Sequence, residues 1–301
     1  MYIFFIGHIV LDTIQKKSKN IESIGGTVVY GSVTASRLGF KNSIISYVGK
    51  DFPEHYFSFL TSNNVGIDYI KIAKNYSTTR FKLIYDKNGQ RKLVLLSKCK
   101  NITIEDIILK NGIYFVVPVI GEVSLDILKK IYKYSSFVVT DIQGFIRKTD
   151  RDGIIYLDAD EEINKIFKYT HILHAEFNEA KMITGENSLK GILRTLKQNT
   201  LNITLLTLGE RGSYVIHNKK IFFIPSIPVK NVIDPTGTGD VYTTTFAIDY
   251  FKNKDVFKAS SLSTAAASYL VEDVGIKGIR TLRDYQKRAV LVLPKIKEIH
   301  I

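Results

Sequence analysis

Short apolar runs alternate with helix-length segments along most of this 301-residue chain, and this alternation restricts its fold more than any other feature. Parallel strands need a long crossover connection, which a helix usually provides. The sequence therefore predicts an α/β protein with helices packed on a mainly parallel sheet. The predicted strands are residues 2–6, 43–48, 113–117, 137–140, 171–173 and 203–208, and the predicted helices are residues 27–38, 123–134, 189–198 and 241–251.

Two strand-like segments do not fit this alternation. Residues 79–85 and 91–96 are rich in Leu, Ile and β-branched residues and flank a turn at residues 86–89, which predicts a β-hairpin. Residues 11–24 predict a second hairpin around a polar tip at residues 16–20. We expect both hairpins to form a small β appendage outside the main sheet. The predicted boundaries are residues 1–301 for one domain, and about residues 11–25 and 77–98 for its appendage.

Composition excludes several classes of protein. Its apolar runs are shorter than the about 20 residues that span a bilayer, and the uncharged N-terminus is typical of a buried strand rather than a signal peptide, so we expect a cytoplasmic protein without a membrane partner. Cys99 is the only cysteine, which excludes an intramolecular disulfide. The net charge of +13 comes from basic residues spread along the chain, without a nucleic-acid-binding motif. This pattern favours an anionic small ligand such as a nucleotide triphosphate over nucleic acid.

The most informative segment is DPTGTGD at residues 234–240, which precedes a predicted helix. The first N–H groups of a helix lack intrahelical partners and lie at the positive end of its dipole. Gly237, Thr238 and Gly239 are therefore expected to present amides to a phosphoryl group. The Asp240 carboxylate beside them can accept the proton of an attacking hydroxyl. A bare Gly-x-Gly-Asp string, however, is more often a structural turn.

The longer string resembles the Asp-Thr-x-Gly-Ala-Gly-Asp signature of the ribokinase-like (PfkB) carbohydrate kinases. Gly25 and Gly26, followed by a helix that ends in ASRLG, resemble the first glycine-rich signature of the family, whose glycine pair contacts substrate. Asp12 stands where the family places a carboxylate that binds substrate hydroxyls. The string TLGERG at residues 207–212 resembles the strand and turn beside the nucleotide phosphates and base.

This resemblance implies a three-layer α/β/α ribokinase-like fold with a β lid built from the two hairpins, and a possible homodimer through that lid. It implies phosphoryl transfer from ATP to a hydroxyl of a sugar or polyol, with Asp240 as the base. The substrate residues that it implies are Asp12, Gly25, Gly26, Tyr30, Gln143 and Arg147. The residues that it implies for the nucleotide are Thr207, Gly209, Gly212, Glu176 and Glu179.

Several positions depart from the family pattern. Tyr30 replaces the Asn that is common in the ribokinase branch, and Thr238 replaces Ala in the glycine-rich string, where its backbone N–H is retained. The Asn-x-x-Glu motif, implicated in magnesium and phosphate binding, has Glu176 in place of Asn, whereas Glu179 matches. We expect Mg²⁺ to arrive with ATP and to contact Glu179 through water.

A narrower resemblance concerns DIQGFIR at residues 141–147 and HAE at residues 174–176, which look like the archaeal myo-inositol 3-kinase branch. Gln143 and Arg147 supply donors that suit a ring of hydroxyls, and Arg147 can alternatively clamp a substrate phosphate or pair with a surface carboxylate. The expected acceptor is myo-inositol. A nucleoside kinase of the same fold and a non-catalytic ligand-binding protein are the alternatives.

Other kinds of site lack support. Neither a Walker-type phosphate loop nor a dinucleotide-binding glycine motif occurs, and the histidines do not form a His-Glu-x-x-His pattern. The sequence therefore favours structural roles for His171 and His174. The alanines at residues 265–267 are typical of a close-packed helix face.

Overall fold

The structure is a computed structural model that describes residues 1–16, 19–85 and 91–301. Its strands are β1 (Tyr2–Ile6), β2 (Val10–Lys16), β3 (Lys19–Gly25), β4 (Lys41–Gly49), β5 (Gly66–Ala73), β6 (Thr79–Tyr85), β7 (Arg91–Ser97), β8 (Ile113–Val116), β9 (Phe137–Asp141), β10 (Arg147–Thr149), β11 (Ile155–Leu157), β12 (Ile172–Glu176), β13 (Ile203–Thr207), β14 (Ser213–His217), β15 (Lys220–Ile224) and β16 (Lys297–Ile299). Its α-helices are α1 (Thr27–Arg37), α2 (His55–Ser62), α3 (Leu125–Tyr134), α4 (Gln143–Ile146), α5 (Phe177–Thr184), α6 (Leu189–Asn199), α7 (Thr238–Asn253), α8 (Val256–Leu270) and α9 (Leu282–Ala289).

The main sheet has the strand order β16-β15-β14-β13-β12-β9-β8-β1-β4-β5. The strands from β13 to β5 are parallel, and β14, β15 and β16 extend the sheet in antiparallel fashion. Because side chains alternate along a strand, Ile3 and Phe5 of β1 face one layer, whereas Phe4 and Ile6 face the other. The first layer contains α1, α2, α7, α8 and α9, and the second contains α3 to α6. The sheet is therefore buried on both sides, and the predicted three-layer α/β/α fold is confirmed.

The strands that the sequence did not predict are β5 and β14–β16 at the two edges of the main sheet, and β10 and β11, which pair antiparallel in a separate two-stranded sheet. Asn218 and Lys219 join β14 to β15 with φ values of 49° and 58°, which is the backbone form of a tight two-residue hairpin. These residues lack the Asn-Gly or Asp-Gly pair that signals such a turn.

Among the predicted segments, α7 begins at Thr238 rather than at residue 241, and β12 begins at Ile172, one residue later than expected.

The two predicted hairpins form a second sheet, called the small sheet below, with the order β3-β2-β6-β7. β2 pairs antiparallel with β3, β6 pairs antiparallel with β7, and the parallel pairing of β2 with β6 joins the hairpins. The expected turn at residues 86–89 and residues 17–18 of the polar tip lie outside the described residues. Arg80 of β6 forms an ion pair with Glu22 of β3 at 2.5 Å, within the small sheet, and one with Asp51 at 3.1 Å, which ties the small sheet to the loop after β4. No helix in the described part of the chain is long and apolar enough to cross a membrane.

Candidate active site

A cavity of about 1110 Å³ lies beside the start of α7 and is bordered by both sheets. Its wall includes all of the sequence-predicted site residues except Gly25, so the fold brings them to one place although they come from distant parts of the chain. Gly25 lies behind Asp12, where an added β-carbon would overlap the Asp12 carboxylate. The predicted residues on the wall are Asp12, Gly26, Tyr30, Gln143, Arg147, Glu176, Glu179, Thr207, Gly209, Gly212, Gly237, Thr238, Gly239 and Asp240.

The turn before α7 is held by Asp234. One carboxylate oxygen accepts the N–H of Thr236 at 2.9 Å, and the other accepts the N–H of Gly275 at 3.1 Å. Gly237 has a φ of 79°, a left-handed conformation that glycine adopts without strain. The turn is therefore fixed at both ends before the helix begins.

The amides at this helix start differ in their availability. The N–H of Thr238 donates to the carbonyl of Pro235 at 3.3 Å, and its hydroxyl donates to the same oxygen at 2.6 Å. Among the described residues, the amides of Gly237, Gly239 and Asp240 have no acceptor. Such N–H groups at the positive end of a helix dipole suit an anionic ligand. Of the three amides that the sequence predicted to face a phosphoryl group, those of Gly237 and Gly239 thus have no acceptor among the described residues, whereas that of Thr238 is engaged by Pro235.

Asp240 lies within the cavity wall and experiences opposing electrostatic influences. Burial and, next, the Asp141 carboxylate raise the pKa of Asp240 to about 7. A hydrogen bond from the Thr27 side chain and the positive charges of His174 and Arg147 act in the opposite direction. A carboxylate with a pKa near neutrality is a stronger base than an ordinary aspartate and is ionised in a large fraction of molecules at pH 7.

Tyr30 lies on the cavity wall near three carboxylates. Burial is the largest cause that raises the pKa of its phenol, followed by the charges of Asp234, Asp240 and Asp12. The phenol therefore stays protonated at neutral pH and keeps an O–H group that can donate a hydrogen bond.

Asp141 and His174 form a buried pair that the sequence did not identify as part of the site. Their side chains are each 5% exposed, and Nδ1 of His174 lies 2.6 Å from Oδ2 of Asp141. Nε2 of His174 lies 3.1 Å from Oγ1 of Thr207. Burial alone would lower the pKa of His174, but the charge and hydrogen bond of Asp141, together with the charges of Glu179 and Asp240, raise that pKa above its ordinary value.

The structure places His174 on the cavity wall, at a residue for which the sequence favoured a structural rather than a metal-binding role. A usable signal was present, because polar residues at the carboxyl ends of neighbouring parallel strands meet at one edge of the sheet. Asp141 ends β9, and its register partner in β12 is His174. His171 fits its structural interpretation, since its ring stacks on Phe137 at 4.9 Å and its Nδ1 accepts the N–H of Val138 at 3.0 Å.

Glu176 and Glu179 cap the N-terminus of α5 reciprocally. The Glu176 side chain accepts the N–H of Glu179, and Oε2 of Glu179 accepts the N–H of Glu176 at 2.8 Å. Replacement of the family Asn by Glu176 therefore retains a capping side chain. Glu179 is only 6% exposed, and burial followed by the charge of Asp141 raises its pKa to about 7.

Metal-binding capacity in the described part of the chain is limited. It contains no group of three or more His, Cys, Asp or Glu residues that could hold an ion by themselves. Glu179, however, is a buried carboxylate on the cavity wall whose pKa is raised by burial and by the charge of Asp141, against the opposing effect of Arg147. This environment fits a divalent cation that is bound mainly by phosphates and water.

The far end of the cavity is apolar. Ala267 of α8 and Val271 lie on its wall together with a segment that follows β15. Ala265 and Ala266 are fully buried in the core, as expected for a close-packed helix face, so of these three alanines only Ala267 contributes to the cavity wall. Gly212, with a φ of 93°, lies at the turn before β14, where a β-carbon would overlap the carbonyl of Ile224. The segment after β15 contributes Ile227, Pro228, Val229 and Val232. These apolar side chains suit the binding of a flat, largely apolar ring.

Comparison with known proteins gives consistent results. The sequence profile of the pfkB family carbohydrate kinases matches residues 22–280. The chain is 23% identical over 277 residues to the cytidine kinase of Thermococcus kodakarensis, which covers 90% of this chain and 96% of that protein.

Two solved structures share the fold. One is a pyrophosphate-dependent kinase in the ribokinase family complexed with a pyrophosphate analog and myo-inositol, with a TM-score of 0.81, 25% identity and coverage of 95% of this chain and 99% of the other. The other is the ribokinase of Arabidopsis thaliana complexed with ribose and ATP, with a TM-score of 0.75, 17% identity and coverage of 95% and 98%. With the family profile matching most of its length, the chain belongs to the pfkB family of carbohydrate kinases, and it is a phosphotransferase.

Proposed function

We propose that this protein transfers the terminal phosphoryl group of ATP to a hydroxyl of a cyclic polyol, with myo-inositol as its best acceptor. The observation that carries the proposal is the position of Asp240. Its carboxylate, with a pKa of about 7, stands at a helix start whose Gly239 and Asp240 amides lack acceptors among the described residues. A base and an anion site are therefore adjacent on one cavity wall.

The transfer follows from this arrangement. The acceptor hydroxyl binds near Asp240, its oxygen forms a bond to the terminal phosphorus, and the bond from that phosphorus to the ADP oxygen breaks. The Asp240 carboxylate takes the hydroxyl proton. In the loose transition state of phosphoryl transfer, charge spreads over the phosphoryl oxygens, where the free amides at the start of α7 stabilise it. A divalent cation, which we expect to be Mg²⁺ near Glu179, neutralises phosphate charge when it is bound.

A nucleotide donor is supported by the apolar end of the cavity. Pyrophosphate alone needs only the anion site and adjacent cations, and it leaves the wall formed by Ala267, Val271 and the segment after β15 without a ligand. An adenine ring uses such a wall, since apolar contact is the main source of its binding energy. The solved pyrophosphate-dependent relative makes pyrophosphate the alternative donor to be tested.

A polyol acceptor is supported by the opposite end. Asp12 and Arg147 line it, and among the described residues the Arg147 guanidinium has no hydrogen-bond acceptor in the protein. The small sheet contributes the apolar side chains of Phe81 and Leu93, which border the same space. Charged groups and apolar walls together suit a compact ring of hydroxyls. The myo-inositol complex of the solved relative agrees with this acceptor class.

A nucleoside acceptor is the second candidate, because the matching relative from Thermococcus kodakarensis is a cytidine kinase. The two candidates use the same phosphoryl chemistry and differ only in the acceptor. A panel of myo-inositol, pentoses, hexoses, ketodeoxy acids and nucleosides, each supplied with ATP or pyrophosphate, separates them through release of ADP or phosphate. We expect the highest kcat/KM with myo-inositol and ATP. Faster turnover of cytidine or another nucleoside would replace the polyol proposal, and turnover of none of them would reject both.

A further inference from the structure

A run of hydrogen bonds connects the nucleotide side of the cavity with its centre. The hydroxyl of Thr207, at the end of β13, lies 3.1 Å from Nε2 of His174. Nδ1 of His174 lies 2.6 Å from Oδ2 of Asp141, and the other oxygen of Asp141 accepts the backbone N–H of Gln143 at 2.8 Å. The Asp141 carboxylate is thus hydrogen-bonded on both oxygens, by the His174 ring in β12 and by the backbone N–H of Gln143 at the start of α4.

The run continues to the base. Nε2 of Gln143 donates to Oγ1 of Thr27 at 2.8 Å, which leaves the Thr27 hydroxyl proton available to Asp240, whose pKa the Thr27 side chain lowers. A second connection is steric, because a β-carbon on Gly239 would stand 3.0 Å from Cε1 of His174. His174 therefore meets the start of α7 directly and also reaches Asp240 through the hydrogen bonds.

The partner of each ring nitrogen fixes the tautomer of His174. An ionised carboxylate only accepts hydrogen bonds, so Nδ1 must carry the proton that points at Asp141. The raised pKa of His174 favours a second proton on Nε2, which then donates to the Thr207 hydroxyl, whereas in the neutral ring Nε2 accepts from that hydroxyl. In many active sites a carboxylate orients an imidazole through such a hydrogen bond. Here both side chains are buried, so the hydrogen bond orients the Asp141 carboxylate as well as the His174 ring.

We propose that His174 is a positioning residue of this active site, whose Nδ1–H holds the Asp141 carboxylate so that Gln143 and Thr27 present a hydrogen bond to Asp240. The proposal rests on the phosphoryl transfer at Asp240 proposed above. His174 itself touches neither the acceptor nor the donor in this role. It acts on the orientation and charge of the base.

The charges around His174 give the proposal a distinctive signature. Asp141 of β9 and Thr207 of β13 contact the ring, and Glu179 of α5, Arg147 at the end of α4 and Asp240 of α7 face it across the cavity wall. Of these influences on Asp240, Asp141 raises its pKa, whereas His174 and Arg147 lower it. Removal of the His174 charge therefore leaves the effect of Asp141 less opposed and moves the pKa of Asp240 upward.

Two variants distinguish the hydrogen bond from His174 to Asp141 from the space that the His174 ring fills. In His174→Leu we expect kcat to fall about 10- to 100-fold, as for lost outer-shell partners, with the KM for ATP changed only a few-fold. His174→Gln retains an N–H donor that can reach Asp141, and we expect it to recover most of kcat. In both variants the acid limb of kcat/KM should move to higher pH, since neither side chain is charged.

His171→Leu is the matched control. It removes a histidine from the segment just before the same strand, where the ring stacks on Phe137 away from the cavity. We expect a lower melting temperature and unchanged kcat. If His174→Leu folds and keeps kcat within a few-fold of the wild type, or if His174→Gln is as impaired as His174→Leu, the positioning role is wrong.

A measurement without turnover separates this inference from the proposed function. The pKa of the Asp240 carboxyl can be followed by ¹³C NMR in the wild type and in His174→Gln, with Asp240→Asn identifying its signal. We expect a higher pKa in His174→Gln. An Asp240 pKa that is the same in His174→Gln as in the wild type overturns the positioning role of His174, even if Asp240 proves to be the base. A shifted Asp240 pKa together with a fully active Asp240→Asn enzyme overturns the proposed function alone. Because the Gln variant keeps the hydrogen bond, it serves also if His174→Leu does not fold.

Discussion

Gly237 lies so close to the aromatic ring of Tyr30 that a β-carbon on Gly237 would overlap three atoms of that ring. Its φ of 79° adds conformational strain for any other residue. We therefore expect Gly237→Ala to displace the start of α7 or the Tyr30 ring, and to lower both kcat and the melting temperature. Kinetic assays and thermal unfolding of the purified variant measure the two effects.

Gly39→Ala is the control for backbone strain alone. Gly39 has a similar φ of 85°, and no atom lies within 4 Å of the position of an added β-carbon. We expect a small loss of melting temperature and normal kcat. Equal kinetic losses in the two variants would show that contact with Tyr30 does not matter for the anion site.

The choice of phosphate donor can be tested at the apolar end of the cavity. Ala267→Phe places a large side chain where we propose that adenine binds, and it should raise the KM for ATP at least tenfold, because a bulky group there excludes the ring. Inorganic pyrophosphate, used as the donor with the same variant, is the internal control. An enzyme that uses pyrophosphate better than ATP, and that is unaffected by Ala267→Phe, would contradict the nucleotide proposal.

Glu179 provides a test of the metal. We expect a chelator to abolish turnover and added Mg²⁺ to restore it, and we expect Glu179→Gln to raise the Mg²⁺ concentration needed for half-maximal rate. The physical reason is the loss of a buried carboxylate that holds water around the ion. Full activity in the chelator would refute the requirement. A Mg²⁺ dependence identical to that of the wild type in Glu179→Gln would remove this residue from the metal site.

The sequence predicted the parts of the structure that follow from periodicity. The alternation of strands and helices, and the poor fit of residues 11–24 and 79–96 to it, were sufficient to predict the main sheet and the small sheet. The family motif located Asp240 and the glycines because its residues are consecutive in the chain. Such short-range patterns do not depend on tertiary contacts.

Which distant residues pair depends on strand order and register, and periodicity alone does not give these. His174 and Asp141 are 33 positions apart, and their pairing depends on the register of β9 with β12. The engagement of the Thr238 amide with Pro235 likewise depends on the shape of the turn, which residue types alone do not fix. The pKa of Asp240 is shifted by burial and by Asp141, and both require the folded arrangement.

The pH dependence of activity follows from the pKa of Asp240. Only the ionised carboxylate can accept a proton, so kcat/KM for the acceptor should rise with pH and reach half its maximum near pH 7, the pKa that burial gives Asp240. An ordinary aspartate would place this limb below pH 5. The Glu179→Gln enzyme is the control, because Glu179 also has a pKa of about 7. A limb that disappears in that variant would belong to Glu179.

The same shift predicts a change in stability. Asp240 binds its proton more tightly in the folded protein than in the unfolded chain, where its ordinary pKa is 3.8. The stability of the fold is therefore unaffected below about pH 4, decreases as the pH rises through the folded pKa of about 7, and remains lower above it. Asp240→Asn removes this cost, so it should melt at a higher temperature than the wild type at pH 8 and at nearly the same temperature at pH 4. A lower melting temperature of the variant at pH 8 would contradict the burial of an unfavourable charge.

The most direct test of the account is the rate of phosphoryl transfer in Asp240→Asn, measured in a single turnover with saturating ATP and the best acceptor of the panel at pH 8. The amide keeps the shape of the side chain but cannot take the hydroxyl proton, and loss of a general base typically costs about 10²–10⁴-fold. We predict a loss in this range in a variant that folds at least as stably as the wild type and binds ATP with similar affinity. Transfer within a few-fold of the wild-type rate would show that Asp240 is not the base.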